Sequence, residues 1–199
     1  MSHTETTDTA IVVMAAGSSR RFGADKRQAS FGDPNLLETT LEKAAPWKKS
    51  IRVILGPGDE NLRASLSDQQ TTTYIARNAR QGMGHSLADA ILQLTTNEPN
   101  ISRCLVMLAD MPYLKTDTLK KLLDALKDND LVVPTYRGKR GNPVGFGQCY
   151  FSALKELTGD KGGKIILQQN ENSVLEIPVE DSGVLKDIDR PEQLKNPLN

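Results

Sequence analysis

Ala10-Ile-Val-Val-Met-Ala15 runs without a break into Ala16-Gly-Ser-Ser-Arg-Arg-Phe-Gly-Ala-Asp-Lys26. Six apolar residues with no polar alternation describe a strand buried on both faces. Such strands belong to parallel sheets covered by helices. The loop that follows is rich in glycine, hydroxyls and cations. Gly17 and Gly23 let the backbone turn tightly and bring its N–H groups close to a ligand. Ser18 and Ser19 add hydroxyl donors, and Arg20, Arg21 and Lys26 add positive charge. Ligands of parallel sheets bind beyond the carboxyl ends of the strands. A loop of this composition in this place reads as a polyphosphate cradle. The competing reading is a solvated basic loop, and only the position directly after the buried strand argues against it.

Two better-known phosphate loops do not fit. A P-loop needs GxxxxGK followed by Ser or Thr. The first loop lacks that spacing, and in Gly159-Asp-Lys-Gly-Gly-Lys164 the spacing is also wrong, with Ile165 after the lysine. A dinucleotide fingerprint needs G-x-G-x-x-G, and Gly17 has no glycine two residues on.

Working outward, apolar strand-like runs alternate with helix-patterned stretches. Strands are expected at Ile51 to Leu55, Thr71 to Ala76, Arg103 to Ala109, Leu131 to Pro134, Val144 to Phe146 and Val174 to Val179. Helices are expected at Leu36 to Ala45, Glu60 to Leu66, Ser86 to Leu94, Thr116 to Lys127, about Cys149 to Leu157, and Gly162 to Gln169. Thr116 or Asp117 is the expected cap of the fourth of these. Asp189-Arg-Pro-Glu192 has the form of a capping box. The alternation implies a three-layer α/β/α, Rossmann-like fold with a mixed, mainly parallel sheet.

The chain has 199 residues, 38% hydrophobic and 25% charged. That suits one α/β domain over residues 10–199, with the polar residues 1–9 as a loose tail. Lys plus Arg balances Asp plus Glu, 25 against 25, so no overall field favours nucleic acid or acidic lipid. The apolar runs are too short to span a bilayer, and the polar start lacks the form of a secretory signal. Cys104 and Cys149 have no partner spacing, so a cytoplasmic, disulfide-free protein is expected. His3 and His85 are isolated and lack metal-ligand spacing.

Leu105-Val-Met-Leu-Ala-Asp110-Met-Pro112 places a carboxylate at the end of a buried strand. Mg²⁺ on nucleotide phosphates often takes only one or two protein carboxylates, and Asp110 is positioned for that task. An Asp that merely caps a turn is the alternative.

The strand followed by AAGxSxRxGxxK resembles the signature of nucleotidyltransferases with the nucleotide-diphospho-sugar transferase fold. Within that group it is most similar to the molybdenum cofactor cytidylyltransferases and guanylyltransferases, the MobA-like enzymes. The resemblance implies that Ala15, Ala16 and Gly17 approach base and ribose, and that Ser18, Ser19, Arg21 and Lys26 line the triphosphate. Arg21, Lys26 and Asp110 then carry catalysis. Leu185-Lys-Asp187-Ile-Asp189-Arg-Pro191 resembles the family's Asp-Ile-Asp-Thr-Pro segment, which implies Asp187 as the second metal contact; the capping box already accounts for Asp189. Ala109 replaces a family glycine.

Asn78-Ala-Arg-Gln-Gly82-Met-Gly84-His-Ser86 resembles the cytidylyltransferase segment beneath the base, implying Asn78, Gly82 and Ser86 as nucleotide contacts and CTP over GTP. A plain turn with Ser86 as N-cap is the alternative. The segment Arg137 to Phe146 resembles the family's Gly-His-Pro stretch with Asn142 in place of His. Gly159 to Lys164 resembles a Gly-Asp-x-Gly-Ala-Arg stretch. These imply Arg140, Asn142, Pro143 and Lys164 as acceptor contacts, although Lys164 lacks the fork of arginine. The implied reaction is Mg²⁺-dependent transfer of CMP from CTP to the phosphate of a molybdopterin-type acceptor, with a molybdoenzyme or its chaperone receiving the product. Transfer to a sugar or alditol phosphate, guanylyl transfer, and a non-catalytic cofactor-binding chaperone are the other readings.

Overall fold

The structure is a computed structural model that describes residues 8–17, 27, 35–190 and 193. The first apolar run forms β1 (Thr9–Met14), every residue of it buried. It pairs in parallel with β2 (Ile51–Leu55) on one side and with β4 (Arg103–Leu108) on the other. Beyond β2 lies β3 (Thr72–Ile75), also parallel. The order along the sheet is β3-β2-β1-β4-β7-β5-β6, where β5 is Leu131–Tyr136, β6 is Lys139–Arg140 and β7 is Val144–Gly147.

Strand β7 runs antiparallel to both β4 and β5 and lies between them. The sequence pattern predicts β7 as a strand but not its direction. β6 continues antiparallel along the far end of β5, and β8 (Leu175–Pro178) pairs with β5 in parallel. Val132 pairs with Gly145 and with Leu175, so β8 occupies the opposite edge of β5.

Alternate residues of the strands feed two separate cores. Ile11, Val13, Val53, Leu105, Met107 and Val132 pack with α1 (Leu36–Lys43), α2 (Glu60–Asp68) and α4 (Thr116–Leu126). Ala10, Val12, Met14, Ile54, Cys104 and Phe146 pack with α3 (Met83–Asn97), α5 (Phe151–Lys155) and α6 (Lys164–Gln169). Helices on both faces of a mainly parallel sheet make the expected three layers. Cys104 is fully buried, and burial pushes its thiol well up.

Three local expectations change. Asp8 and Thr9, read as tail, belong to the sheet. Thr9 opens β1, the Asp8 carbonyl accepts from Ser102 and Arg103 N–H at 2.9 and 3.1 Å, and the Asp8 carboxylate pairs with the Arg103 guanidinium. Neither Thr116 nor Asp117 caps α4. The carboxylate of Asp181 does so from far along the chain, accepting from Lys115 N–H at 2.9 Å and from the Thr118 hydroxyl at 2.7 Å. Thr116 donates instead to the carbonyl of Lys43 at the end of α1. α1 starts with a capping box between Asn35 and Glu38 that the apolar spacing alone did not reveal. Among the described residues, no helix is long and apolar enough to cross a membrane.

Candidate active site

The carboxyl ends of β1, β2 and β4 finish at one rim of the sheet. Ala15 N–H donates to the Ile54 carbonyl, and Ala109 N–H donates to that of Met14. Ala15 is buried at this rim, Ala16 follows it, and Gly17 has open space where a Cβ would stand. Ser18, Ser19, Arg20, Arg21, Gly23 and Lys26, the core of the expected phosphate cradle, lie outside the described residues.

Arg27 shows how the loop is joined to the sheet. Its guanidinium donates to the Ala15 carbonyl at 2.9 Å and grips both carboxylate oxygens of Asp59 at 2.5 and 2.7 Å. Asp59 in turn accepts Gly56 N–H at 2.7 Å. The residue that ends the loop is thereby tied to the residue that begins it. Sequence reasoning passed over Arg27, because its carboxylate partner is 32 residues away.

Asp110 follows Ala109 at the end of β4 and is only 8% exposed. Its carbonyl accepts Ile188 N–H at 3.0 Å, which lays the C-terminal segment beside it. Ile188 is buried, so its neighbours Asp187 and Asp189 project to the other side of this extended stretch. One carboxylate oxygen from each of Asp110, Asp187 and Asp189 lies within 4.8 Å of the others. An all-oxygen donor set suits a hard cation such as Mg²⁺ or Mn²⁺.

The structure thus brings Asp110 and Asp187 together as the resemblance implied, and adds Asp189. The capping box proposed for Asp189 involves Glu192, outside the described residues. Gln193 Oε1 accepts Asp189 and Arg190 N–H at 2.8 and 2.7 Å, so the backbone is capped while the Asp189 carboxylate joins the cluster.

The strap carrying these carboxylates is held at several points. Asp181 is 2% exposed and accepts Gly183 N–H at 2.9 Å as well as the two donors of α4. A Cβ on Gly183 would come within 2.3 Å of the Tyr113 carbonyl, so only glycine lets the strap pass there. Asn142 N–H donates to the Val184 carbonyl at 2.8 Å.

Around the expected base segment, Gly82 is the N-cap of α3 with φ near 122°, a conformation that favours glycine. Ser86 lies inside the helix, and its hydroxyl donates back to the Gly82 carbonyl at 3.2 Å, so it is not the cap. Asn78 is clipped to α3, donating to Asp89 from both its backbone and its side chain.

This segment also carries the Gly159 to Lys164 stretch. Gly84 N–H donates to the Gly159 carbonyl at 2.7 Å, and His85 Nδ1 accepts Gly159 N–H at 3.1 Å. His85, isolated in the sequence, is therefore a docking residue. Lys164 opens α6 with its side chain exposed.

The remaining expected acceptor contacts lie on the other side of the carboxylates. Arg140 and Asn142 line a cleft of about 170 Å³ together with Leu108, Met111, Lys186 and Asp187. Pro143 follows through a cis peptide bond. Arg140 is already engaged, donating from Nε to Glu176 and pairing with Glu171, each at 2.7 Å. Arg140 and Asn142 therefore adjoin Asp187, while Lys164 stands with the base segment.

Comparison with known proteins bears on this geometry. The chain is similar to the purine catabolism protein PucB of Bacillus subtilis, 27% identical over 92% of either chain. It superposes on Rv0371c of Mycobacterium tuberculosis H37Rv with a TM-score of 0.82, 27% identity, and coverage of 96% and 97% of the two chains. The same mycobacterial protein has been solved in complex with manganese. The fold is shared with molybdopterin-guanine dinucleotide biosynthesis protein A of Archaeoglobus fulgidus, at a TM-score of 0.66, 20% identity and coverage of 94% and 95%. The model of the MobA-like NTP transferase domain matches residues 11–174, and the chain belongs to that family of nucleotidyltransferases.

Proposed function

We propose that this nucleotidyltransferase transfers CMP from CTP to the phosphate of a molybdopterin-bound molybdenum cofactor, with a divalent cation held by Asp110, Asp187 and Asp189. The observation that carries the reading is the convergence of these three carboxylates at the rim where β1 and β4 end. Transfer from a nucleoside triphosphate is served by a hard cation on the phosphate oxygens, and the mycobacterial relative has been solved in complex with manganese. CTP rather than GTP rests on the resemblance of residues 78–87 to the cytidylyltransferase branch.

In the reaction, an oxygen of the acceptor phosphate attacks the α-phosphorus of the nucleotide. The bond from that phosphorus to the α–β bridging oxygen breaks, and pyrophosphate leaves with the electron pair. When bound, the cation supplies positive charge to the phosphate oxygens. Arg21 and Lys26 neutralise the triphosphate from the first loop, and Ser18 and Ser19 donate hydrogen bonds to it. Ala15, Ala16 and Gly17 border the nucleoside, with Gly82 and Ser86 shaping the floor of α3. Asn142 and Pro143 border the acceptor. No covalent nucleophile is required, and positioning with charge neutralisation does the catalytic work.

The test is pyrophosphate release measured with four nucleoside triphosphates, each with molybdopterin cofactor, a sugar phosphate or an alditol phosphate. CTP with the molybdenum cofactor is expected to be the productive pair. Asp110→Asn is expected to abolish release while thermal unfolding stays cooperative. A fully active Asp110→Asn removes the carboxylate cluster from the chemistry. Preference for GTP or for another acceptor replaces the substrate assignment, and cofactor binding without pyrophosphate release replaces it with a carrier role.

A further inference from the structure

The cleft beside the carboxylates is smaller than the roughly 300–1,000 Å³ of pockets that enclose a whole small ligand. A cleft of that size has room for one end of a molecule rather than for the whole of one. Two cations line it, Arg140 and Lys186, and they differ in what they have left to offer. The Arg140 guanidinium is shared between the carboxylates of Glu171 and Glu176. Two negative charges already compensate its single positive one.

Lys186 stands differently. Its ammonium lies 5.9 Å above the centre of the Tyr113 ring, and among the described residues no carboxylate pairs with it. A ring contact at that range is weak and yields to an anion. The backbone beneath it is held, since Lys186 N–H donates to the Gly183 carbonyl at 3.2 Å. Its neighbour Asp187 belongs to the carboxylate cluster.

We propose that Lys186 is the cation that receives the phosphomonoester of the acceptor in this cleft. The inference rests on the nucleotidyl-transfer reading and names the acceptor-binding cation in place of Arg140. Charge balance supports it. Three carboxylates with one divalent cation leave a net negative site, which repels an incoming phosphate. Lys186 restores neutrality at the cleft, so the acceptor's phosphate can approach the cation-loaded cluster.

The experiment uses the full chain in Mg²⁺ with phenyl phosphate as probe, followed by amide shifts in two-dimensional NMR. Shifts are expected at Gly141, Asn142 and Lys186. Lys186→Met is expected to weaken binding about tenfold or more, the loss of one charge-assisted contact. Lys186→Arg keeps the charge and is expected to stay within about threefold of the parent. Lys139→Met, the same charge change on the exposed β6, is expected to bind as the parent does. CTP affinity is expected to be unchanged in Lys186→Met. No binding by the parent chain, parent-like binding by Lys186→Met, or an equal loss in Lys139→Met overturns the proposal. Binding through Lys186 without pyrophosphate release for any acceptor instead refutes the proposed reaction and leaves this subsite standing.

Discussion

Replacing Asp181 with alanine removes a buried carboxylate that accepts three hydrogen bonds, from Lys115 N–H, Gly183 N–H and the Thr118 hydroxyl. Hydrogen bonds to a charged group contribute about 1.5–3 kcal/mol each. Their sum is an upper bound, because the carboxylate no longer has to be desolvated and the Thr118 hydroxyl can turn to another acceptor. A net loss of about 3–4 kcal/mol is expected from the orphaned buried N–H of Gly183, the part-buried N–H of Lys115 and the uncapped start of α4. At roughly 2–4 °C per kcal/mol for a chain of this size, Tm falls by about 6–16 °C. The functional effect follows from the strap. Asp187 and Asp189 lie a few residues beyond Asp181, so their carboxylates lose a fixed position relative to Asp110. Mn²⁺ titrated against the folded variant, followed by electron paramagnetic resonance, is expected to bind about tenfold more weakly. A Tm change below about 2 °C refutes the stability estimate. Parent-like Mn²⁺ affinity in a destabilised variant shows instead that the bonds of Val184 and Ile188 hold the strap alone.

Two other perturbations probe different parts of the molecule. Arg27→Ala breaks a largely buried bidentate pair and frees the end of the first loop, so stability is expected to fall by about 2–3 kcal/mol. The KM for the nucleoside triphosphate is expected to rise about tenfold with kcat little changed, and an unchanged KM refutes the anchoring role. At the opposite end of the sheet, Arg52, Glu98 and Tyr74 form a linked triad. Burial first, then the hydrogen bond to Glu98, pushes the Tyr74 phenol from 10.0 up to about 12. Between those values the unfolded chain releases a proton that the native state keeps, so stability falls as pH rises through the window. Tyr74→Phe is expected to flatten that alkaline loss, measured by denaturant unfolding across the window, and superimposable profiles refute the assignment. In the same triad the hydrogen bond from Arg52 leads in holding the Glu98 carboxyl below its ordinary range. That contribution is present above the ordinary carboxylate pKa and is lost as pH falls through the depressed value.

Much of this protein is legible along the chain because the signals are local. The apolar run of β1, the helical spacing of α3 and α4, and the glycine-rich turn after β1 are each contained in a dozen residues. Side-chain period and backbone freedom act over that range. Asp110 is legible for the same reason, as a carboxylate at the end of a buried strand. What the tertiary structure decided are the contacts that join distant segments. Only folding shows that β7 runs antiparallel between β4 and β5, that Asp181 caps α4, and that Arg27 is locked to Asp59. Only folding turns Asp189 from a helix cap into a member of the carboxylate cluster, engages Arg140 with two glutamates, and brings Lys186 into the lining of the cleft. A hydrogen bond or ion pair between residues tens of positions apart leaves no periodicity in either segment, so the parts of the candidate site are legible along the chain and only the packing of the strap against the sheet rim brings them together.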